Sequence, residues 1–489
     1  MDALAFEHHL TSPQGQGHRP AGAHTAQAGT SACCDRVAVS VATDGRRITD
    51  AGFTAHGCGA ATAAASAAVT LVRGAGLLDA ARVGPAEIAA ELGGLSPAKL
   101  HAAELACDAL ARALGAAAAA QGDLDPVAGR TLVAMSGGVD SAVAAHLVAA
   151  DGEAVAVTLE LWSDAEHDAE RSCCSASAVA QARSLAHGMG LPHFTLDLRE
   201  AFRAGVVQPF IDGYAAGETP NPCVGCNGHV RLDAMLDLAD RLGAGRLATG
   251  HYARIAEDSD ARGPLLRAAA DPAKDQTYML AALAPASLGR MHFPLGALTK
   301  PQVREIATRA GLPVAGKADS QDLCFLAGTT RARFLARHGG VRDAPGELVG
   351  LDGGQLGRHD GQHRFTVGQR RGLGVHAAEP LYVIDKDAGS GRVTLGPLDA
   401  LRTRSVAIRA ARLHRPGARV DRVKLRYRQR PLAATVAGAP AAGRHHRLQI
   451  ELSDAADGAA PGQLACLMDG ELVVGWGTIT RPERSLSAR

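Results

Sequence analysis

One stretch constrains the fold of this chain more than any other: "RTLVAMSGGVDSAVAAHLVAADG", Arg130 to Gly152. "RTLVAM" has the length and apolar content of a buried strand, and "AVAAHLVAADG" reads as a helix stopped by Gly152. Between them, Gly137 and Gly138 allow a tight turn in which backbone N–H groups converge. The helix N-terminus adds a field that favours anions. Ser136, Gly137, Gly138, Asp140 and Ser141 are therefore candidate phosphate ligands, with Asp140 a candidate Mg²⁺ ligand. The rhythm continues with "EAVAVTLELW" as strand, "SASAVAQARSLAHGMG" as helix and "PHFTLDL" as strand. Strand–helix alternation of this kind predicts an α/β domain with a doubly wound parallel sheet, its ligands at the carboxyl ends of the strands.

The 489 residues leave room for two to four domains. Residues 130–340 form the predicted α/β domain and 341–403 a small β-rich one. Residues 404–489 alternate apolar and polar residues in short runs, as a small β-barrel would. Ahead of them, residues 1–30 show no periodicity and read as a disordered leader whose His8, His9, His18 and His24 are solvated. Residues 31–120 begin with a hairpin around "TDGR" and continue as helices, an α+β unit. Residues 121–129 read as a linker.

Net charge is only +1, so any nucleic-acid surface must be a local patch. Between Arg402 and Arg430 eleven Lys/Arg stand against one acid, Asp421, with Tyr427 among them. That density favours an RNA-backbone surface over a merely solvated face. No apolar run approaches the length of a membrane span, and the N-terminus lacks a signal pattern. Ten cysteines in such a chain read as reduced cytosolic thiols that do chemistry or bind metal. Aromatics are 3%, so Leu, Val, Ile and Ala must build the cores.

"TPNPCVGCNGHVRL" holds the only Cys-x-x-Cys, Cys223 and Cys226. The spacing suits half a zinc site, a redox pair, cluster ligands or a nucleophile with a neighbour. No second well-spaced pair accompanies it. Cys324, in "KADSQDLCFLAG", is a distant second thiol, and two separated thiols are what sulfur delivery by persulfide and disulfide needs. The stretch "GLPVAGKA" imitates a Walker A loop but has Ala318 where a hydroxyl is required, and it follows a helix rather than a strand. Gly311 is better read as a helix C-cap.

The loop "SGGVDS" resembles that of the N-type ATP pyrophosphatases, whose fold is of the adenine nucleotide alpha hydrolase type. From Arg130 onward the motifs "TPNPCVGCN", "ATGHYAR", "KDQTYML", "KPQVREIA", "DSQDLCF", "FTVGQRRGLG", "LRYRQ" and "PGQL" together resemble the tRNA-specific 2-thiouridylases. The resemblance implies ATP on Ala134, Met135, Ser136, Gly137, Gly138, Val139, Asp140 and Ser141, with Leu159 and Gly250 near the adenosine. It implies that Asn221, Pro222 and Cys223 line the target base, that Cys226 is the nucleophile and that Cys324 carries a persulfide. His251, Lys274, Asp275, Gln276, Arg426, Tyr427 and Gln463 would contact tRNA. The implied reaction adenylates the C2 oxygen of an extruded wobble uridine and replaces it with sulfur, releasing pyrophosphate and AMP. The implied partners are tRNA and a sulfur donor, a cysteine desulfurase or relay protein, with no DNA and no membrane. Cys223 departs from a common form of the motif that has Asp. Cys223, Cys226 and Cys324 as ligands of an iron–sulfur cluster is thus an alternative to the persulfide–disulfide route. Two rival functions are a non-enzymatic iron–sulfur carrier with an RNA-binding half and another adenylating enzyme of this loop type.

The front unit resembles the U-type iron–sulfur scaffolds, with Cys33, Asp35, Cys58 and His101 at the ligand positions. Such scaffolds usually carry Cys directly after the His, and here Ala102 stands there. Cys107 lies five residues further, about 140° around a helix, so it is no substitute; Cys34 is nearer.

Overall fold

The computed structural model describes residues 3–29, 34–163, 175–258, 262–318 and 323–481. The chain falls into two compact units. The first comprises residues 1–200, 231–251 and 290–325; the second comprises 201–230, 252–289 and 326–489.

The first unit opens with a three-stranded antiparallel sheet, β1 (His24–Gly29), β2 (Arg36–Thr43) and β3 (Ile48–His56), in that order. β2 and β3 form the hairpin expected around "TDGR". The leader is a correction. Residues expected to be disordered form a helix, Ala3–Thr11, and the edge strand β1, which pairs with β2 from His24↔Val41 to Gly29↔Arg36. His9 is buried, its Nδ1 2.8 Å from Ser66 Oγ. An edge strand is held by backbone hydrogen bonds, which leave no side-chain periodicity to read.

Two helices cover this sheet, Gly59–Val72 and Leu100–Gln121, both rich in alanine. Small side chains let these helices approach closely. Gly115 shows how closely: a Cβ there would lie 2.0 Å from the Thr195 carbonyl oxygen. Thr195 belongs to the next domain, so the long helix serves two cores.

That domain is a parallel sheet of β4 (Val127–Ala134), β5 (Ala154–Glu160), β6 (His193–Asp197) and β7 (Ala244–Thr249), with a short strand Met291–His292 beside β7. The order is Met291–His292, β7, β4, β5, β6, all parallel. β5 is buried along its whole length, as a central parallel strand should be. The order reverses between β7 and β4, the switch point where such sheets bind ligands. β6 is the outer strand. Its edge is covered by the front domain: the His193 N–H donates to the Ala81 carbonyl at 2.9 Å, and Gly115 abuts Thr195. Arg112 donates to Glu160 at 2.8 Å, and Arg183 to Asp108 at 2.6 Å. Only residues 122–126 separate the long helix from β4, shorter than the expected linker, and Arg46 pairs bidentately with Asp125 there at 2.6 Å.

The second unit holds two β structures. A four-stranded sheet runs Gln355–His359, Gly346–Val349, Val393–Gly396, Tyr382–Lys386 around Leu348, Phe365, Leu373, Val383, Val393 and Leu395. The C-terminal strands run Arg402–Leu413, Gly443–Asp457, Leu432–Val436, Arg422–Lys424, Leu464–Asp469, Leu472–Ile479. The last pairs back with the first, closing the expected barrel. Its core is Val, Leu, Ile and Ala, including the fully buried Ile408, Val423, Leu425, Ile450 and Val474. The strands Arg254–Ala256 and Leu265–Arg267 extend this barrel sheet beyond Leu472–Ile479. They had been expected in the α/β domain. Their short alternating pattern carries no mark of which sheet they join.

Candidate nucleotide loop, thiol loop and metal-ligating cluster

β4 delivers the nucleotide loop and the helix Val139–Asp151 leaves it. Gly137 has φ +69°, and a Cβ on it would meet the Ala178 carbonyl at 2.8 Å. Only glycine suits both demands. Ser141 Oγ ties the loop together: it accepts from the Ser136 N–H at 3.1 Å and donates to the Gly138 carbonyl at 3.1 Å. Gly250, after β7, presses on the start of the helix, where a Cβ would sit 2.8 Å from the Ser141 nitrogen. Ala134, Met135, Val139 and Leu159 flank this loop at the carboxyl ends of β4 and β5, Met135 N–H donating to Val157 at 2.8 Å. The side chain of Asp140, the candidate Mg²⁺ ligand, accepts two bonds from Lys300 Nζ at 2.8 and 2.9 Å.

In the second unit, Asn221 caps the short helix Pro222–Gly225, its Oδ1 accepting from the Cys223 N–H at 3.1 Å. Cys223 is half-buried and Cys226 buried at the start of the wide turn Cys226–Arg231. Asn227 Nδ2 donates to the Met279 carbonyl at 3.2 Å. The loop is gripped from the barrel: the Thr219 N–H donates to Pro461 at 2.8 Å, and Gln463 Nε2 donates to the Thr219 carbonyl at 2.6 Å. Cys324, half-buried, belongs to the first unit. Cys466 is buried with its thiol pushed up to about 12 by desolvation, which makes it inert.

Among the described residues one group of three metal-ligating side chains converges: Asp35, Cys58 and His101, their ligand atoms within 4.8 Å of one another. Cys58 Sγ lies 3.1 Å from Asp35 Oδ2, and His101 Nε2 3.5 Å from it. His101 Nδ1 is 2.9 Å from the Ala98 carbonyl. That contact places the proton on Nδ1 and leaves Nε2 as the ligand nitrogen. Carboxylate, thiolate and imidazole suit zinc or iron. Cys33 lies outside the described residues. Cys34 is exposed at φ +57°, while Ala102 and Cys107 are buried. Burial raises the Cys107 thiol to about 11, in keeping with its exclusion as a ligand.

Four family models match in sequence: the NifU-like N terminal domain over residues 5–121, the tRNA methyl transferase HUP domain over 129–328, the tRNA methyl transferase PRC-barrel domain over 332–397 and the aminomethyltransferase beta-barrel domain over 408–479. The "Bifunctional protein NifU/MnmA" of Rubrobacter xylanophilus is 42% identical over 97% of this chain and 97% of its own length. This chain belongs to the bifunctional NifU/MnmA family. The "tRNA-specific 2-thiouridylase MnmA" of Solibacter usitatus is 41% identical over 71% of this chain and 98% of its own. That of Chloroflexus aggregans is 41% identical over 72% and 98%.

Several residues of this NifU/MnmA chain expected to touch RNA are engaged internally. Asp275 accepts from Thr277 and from Lys424 at 3.0 Å, and its side chain is 9% exposed. Gln276 Oε1 accepts from the Tyr252 N–H at 2.9 Å. The Lys274 N–H donates to Asp271, and its side chain is half-buried. His251 Nδ1 is 2.7 Å from Thr249 Oγ1, and burial lowers its pKa to about 3, so the ring stays neutral. Arg426 and Tyr427, by contrast, line an open recess of about 420 Å³ with Arg428, Gln429 and Asp457. Arg428 stands over the Tyr427 ring at 5.5 Å. Arg428 and Lys300 were missed. The first interrupts "LRYRQ" and the second opens "KPQVREIA", yet neither motif says which side chain faces a site.

Proposed function

We propose that the chain is a tRNA uridine 2-sulfurtransferase whose front domain relays sulfur or an iron–sulfur cluster to it. The observation that carries the reading is the match, over 97% of both chains, to a relative named for both halves. In this reading ATP lies on Ala134–Ser141, with Leu159 and Gly250 toward the adenosine. The helix N-terminus and the loop N–H groups stabilise the phosphates. Asp140 would hold Mg²⁺ beside the phosphates, with Lys300 Nζ donating to the same carboxylate.

The extruded uridine lies against Asn221, Pro222 and Cys223. Its C2 oxygen attacks the α-phosphorus and pyrophosphate leaves. The terminal sulfur of a Cys324 persulfide attacks C2, and AMP leaves with the C–O electron pair. The Cys226 thiolate then attacks Cys324 Sγ, which leaves a disulfide on the protein and the sulfur on the base. A reductant of the thiol class restores the pair. Arg426, Tyr427 and Arg428 bind the RNA by charge and stacking. Asp35, Cys58 and His101 would hold a metal ion or nascent cluster, which supplies thiophilic binding of sulfur.

Mass spectrometry of tRNA nucleosides from a deletion strain tests the reading: 2-thiouridine disappears and returns with the intact gene. Unchanged 2-thiouridine would sink it. Iron assay of anaerobically purified protein tests the cluster version of the thiol chemistry. A colourless, iron-free and fully active enzyme favours the persulfide route.

A further inference from the structure

The rejected Walker-like stretch contains a lysine that does reach a phosphate loop, though not its own. Lys317 Nζ donates to the Gly137 carbonyl at 3.0 Å and to Gln181 Oε1. Gln181 lies on the helix Ala176–Gly188, whose Ala178 carbonyl packs against Gly137. The segment bearing Lys317 is braced. Arg304 donates to the Ala315 carbonyl at 2.7 Å and to the Lys317 carbonyl at 3.1 Å. Arg304 stands one turn after Lys300 on the helix Lys300–Arg309. One helix therefore sets both lysines against the same loop.

Their charges are balanced differently. Lys300 faces the Asp140 carboxylate. Lys317 meets two neutral oxygens, and among the described residues no carboxylate pairs with it. An ammonium held by neutral acceptors gains on exchanging them for anionic ones, because full Coulomb attraction replaces a charge–dipole contact. The loop beneath it presents Gly137 at φ +69° and an open helix N-terminus, both suited to phosphate.

We propose that Lys317 is a catalytic residue of the adenylation step, contacting the phosphates that depart as pyrophosphate. The inference rests on the adenylation reading above. In the step, a lone pair of the substrate oxygen forms the new bond to the α-phosphorus. The bond from that phosphorus to the bridging oxygen breaks, and its electron pair leaves on pyrophosphate. Lys317 stays protonated throughout. It gives up the Gly137 and Gln181 oxygens and donates to non-bridging oxygens of the leaving group, where charge accumulates.

The full-length chain carrying K317M or K317R provides the test. Magnesium pyrophosphate and AMP binding are measured by calorimetry at two salt concentrations, and ATP–pyrophosphate exchange is measured with tRNA. K317M is expected to weaken pyrophosphate binding about tenfold and to spare AMP. The deficit shrinks at high salt, because it is a charge–charge loss. Exchange kcat falls about 100-fold, the scale of losing one oxyanion donor, and K317R recovers most of it. The side chain is exposed, so an unchanged unfolding midpoint accompanies these effects. An undiminished pyrophosphate affinity in K317M overturns the proposal. So does an equal, salt-independent loss of AMP and pyrophosphate, which would make Lys317 a prop for the loop. A wild-type chain that binds neither ATP nor pyrophosphate overturns the adenylation reading itself, and this inference with it.

Discussion

The side-chain amide of Gln463 donates to the carbonyl oxygen of Thr219 at 2.6 Å, joining residues 244 positions apart. Around it, Thr219 bonds back to Pro461, and a Cβ on Gly462 would lie 2.9 Å from the Thr219 nitrogen. The motifs "PGQL" and "TPNPCVGCN" are thus one structural object, a barrel corner that fixes the approach to Cys223 and Cys226.

Replacing Gln463 by Ala removes one net hydrogen bond, worth about 1 kcal/mol. The expected result is a fivefold to tenfold lower single-turnover thiolation rate (about 1–1.4 kcal/mol) with tRNA affinity nearly unchanged. A gel-shift titration beside the rate measurement separates this from a direct RNA contact, for which affinity would fall and the rate at saturation would not.

Gly115→Ala puts a methyl group 2.0 Å from the Thr195 carbonyl oxygen. Helix propensity favours alanine by about 1 kcal/mol, and overpacking against backbone costs about 1–3 kcal/mol. The clash wins, so the thermal midpoint falls by several degrees; Gly115→Val deepens the loss. Calorimetry decides it, and a midpoint raised by G115A would mean that the helix and β6 do not meet as described.

The Asp35, Cys58 and His101 cluster is expected to hold about one metal equivalent per chain. Elemental analysis of D35A, C58A and H101A, each purified as the full chain, should show that equivalent lost. Retention in all three would remove the site.

Lys386 is buried, its Nζ donating to the Phe365 carbonyl at 2.9 Å, and desolvation with repulsion from Arg331 and Arg481 lowers its pKa from 10.5 to about 7, against a smaller opposing pull from Asp385. Between those values the unfolded chain binds more protons than the folded one, so stability rises as pH increases from about 7 toward 10. Below pH 7 the penalty of the buried charge is present in full. Lys386→Met should flatten that slope, read as unfolding free energy in urea from pH 6 to 10. A slope unchanged by the substitution would assign it to other groups.

The nucleotide loop was legible in the sequence because its constraints are local: Gly137 needs φ +69° and Ser141 bonds within five residues. The metal cluster was legible in part, since Asp35, Cys58 and His101 each lie one residue from the start of an element in a recognisable hairpin-and-helix pattern. The distant partners of Asp275, Gln463, Lys300 and Lys317 were not, because they lie 136 to 244 residues away and no periodicity encodes such a meeting. The leader misled for a related reason: its order is lent by β2 and by Ser66 rather than built from its own pattern.

The outer edge of β6 is sealed by Ala81 and by Gly115, residues of the front domain. Cutting such a chain at its apparent boundary would bare a strand edge and a glycine-width slot, both invitations to aggregate. Fusion of the two halves then behaves as a ratchet. Once the rear half relies on its neighbour to finish its sheet, gene fission would have to supply a replacement edge before either product could stand alone.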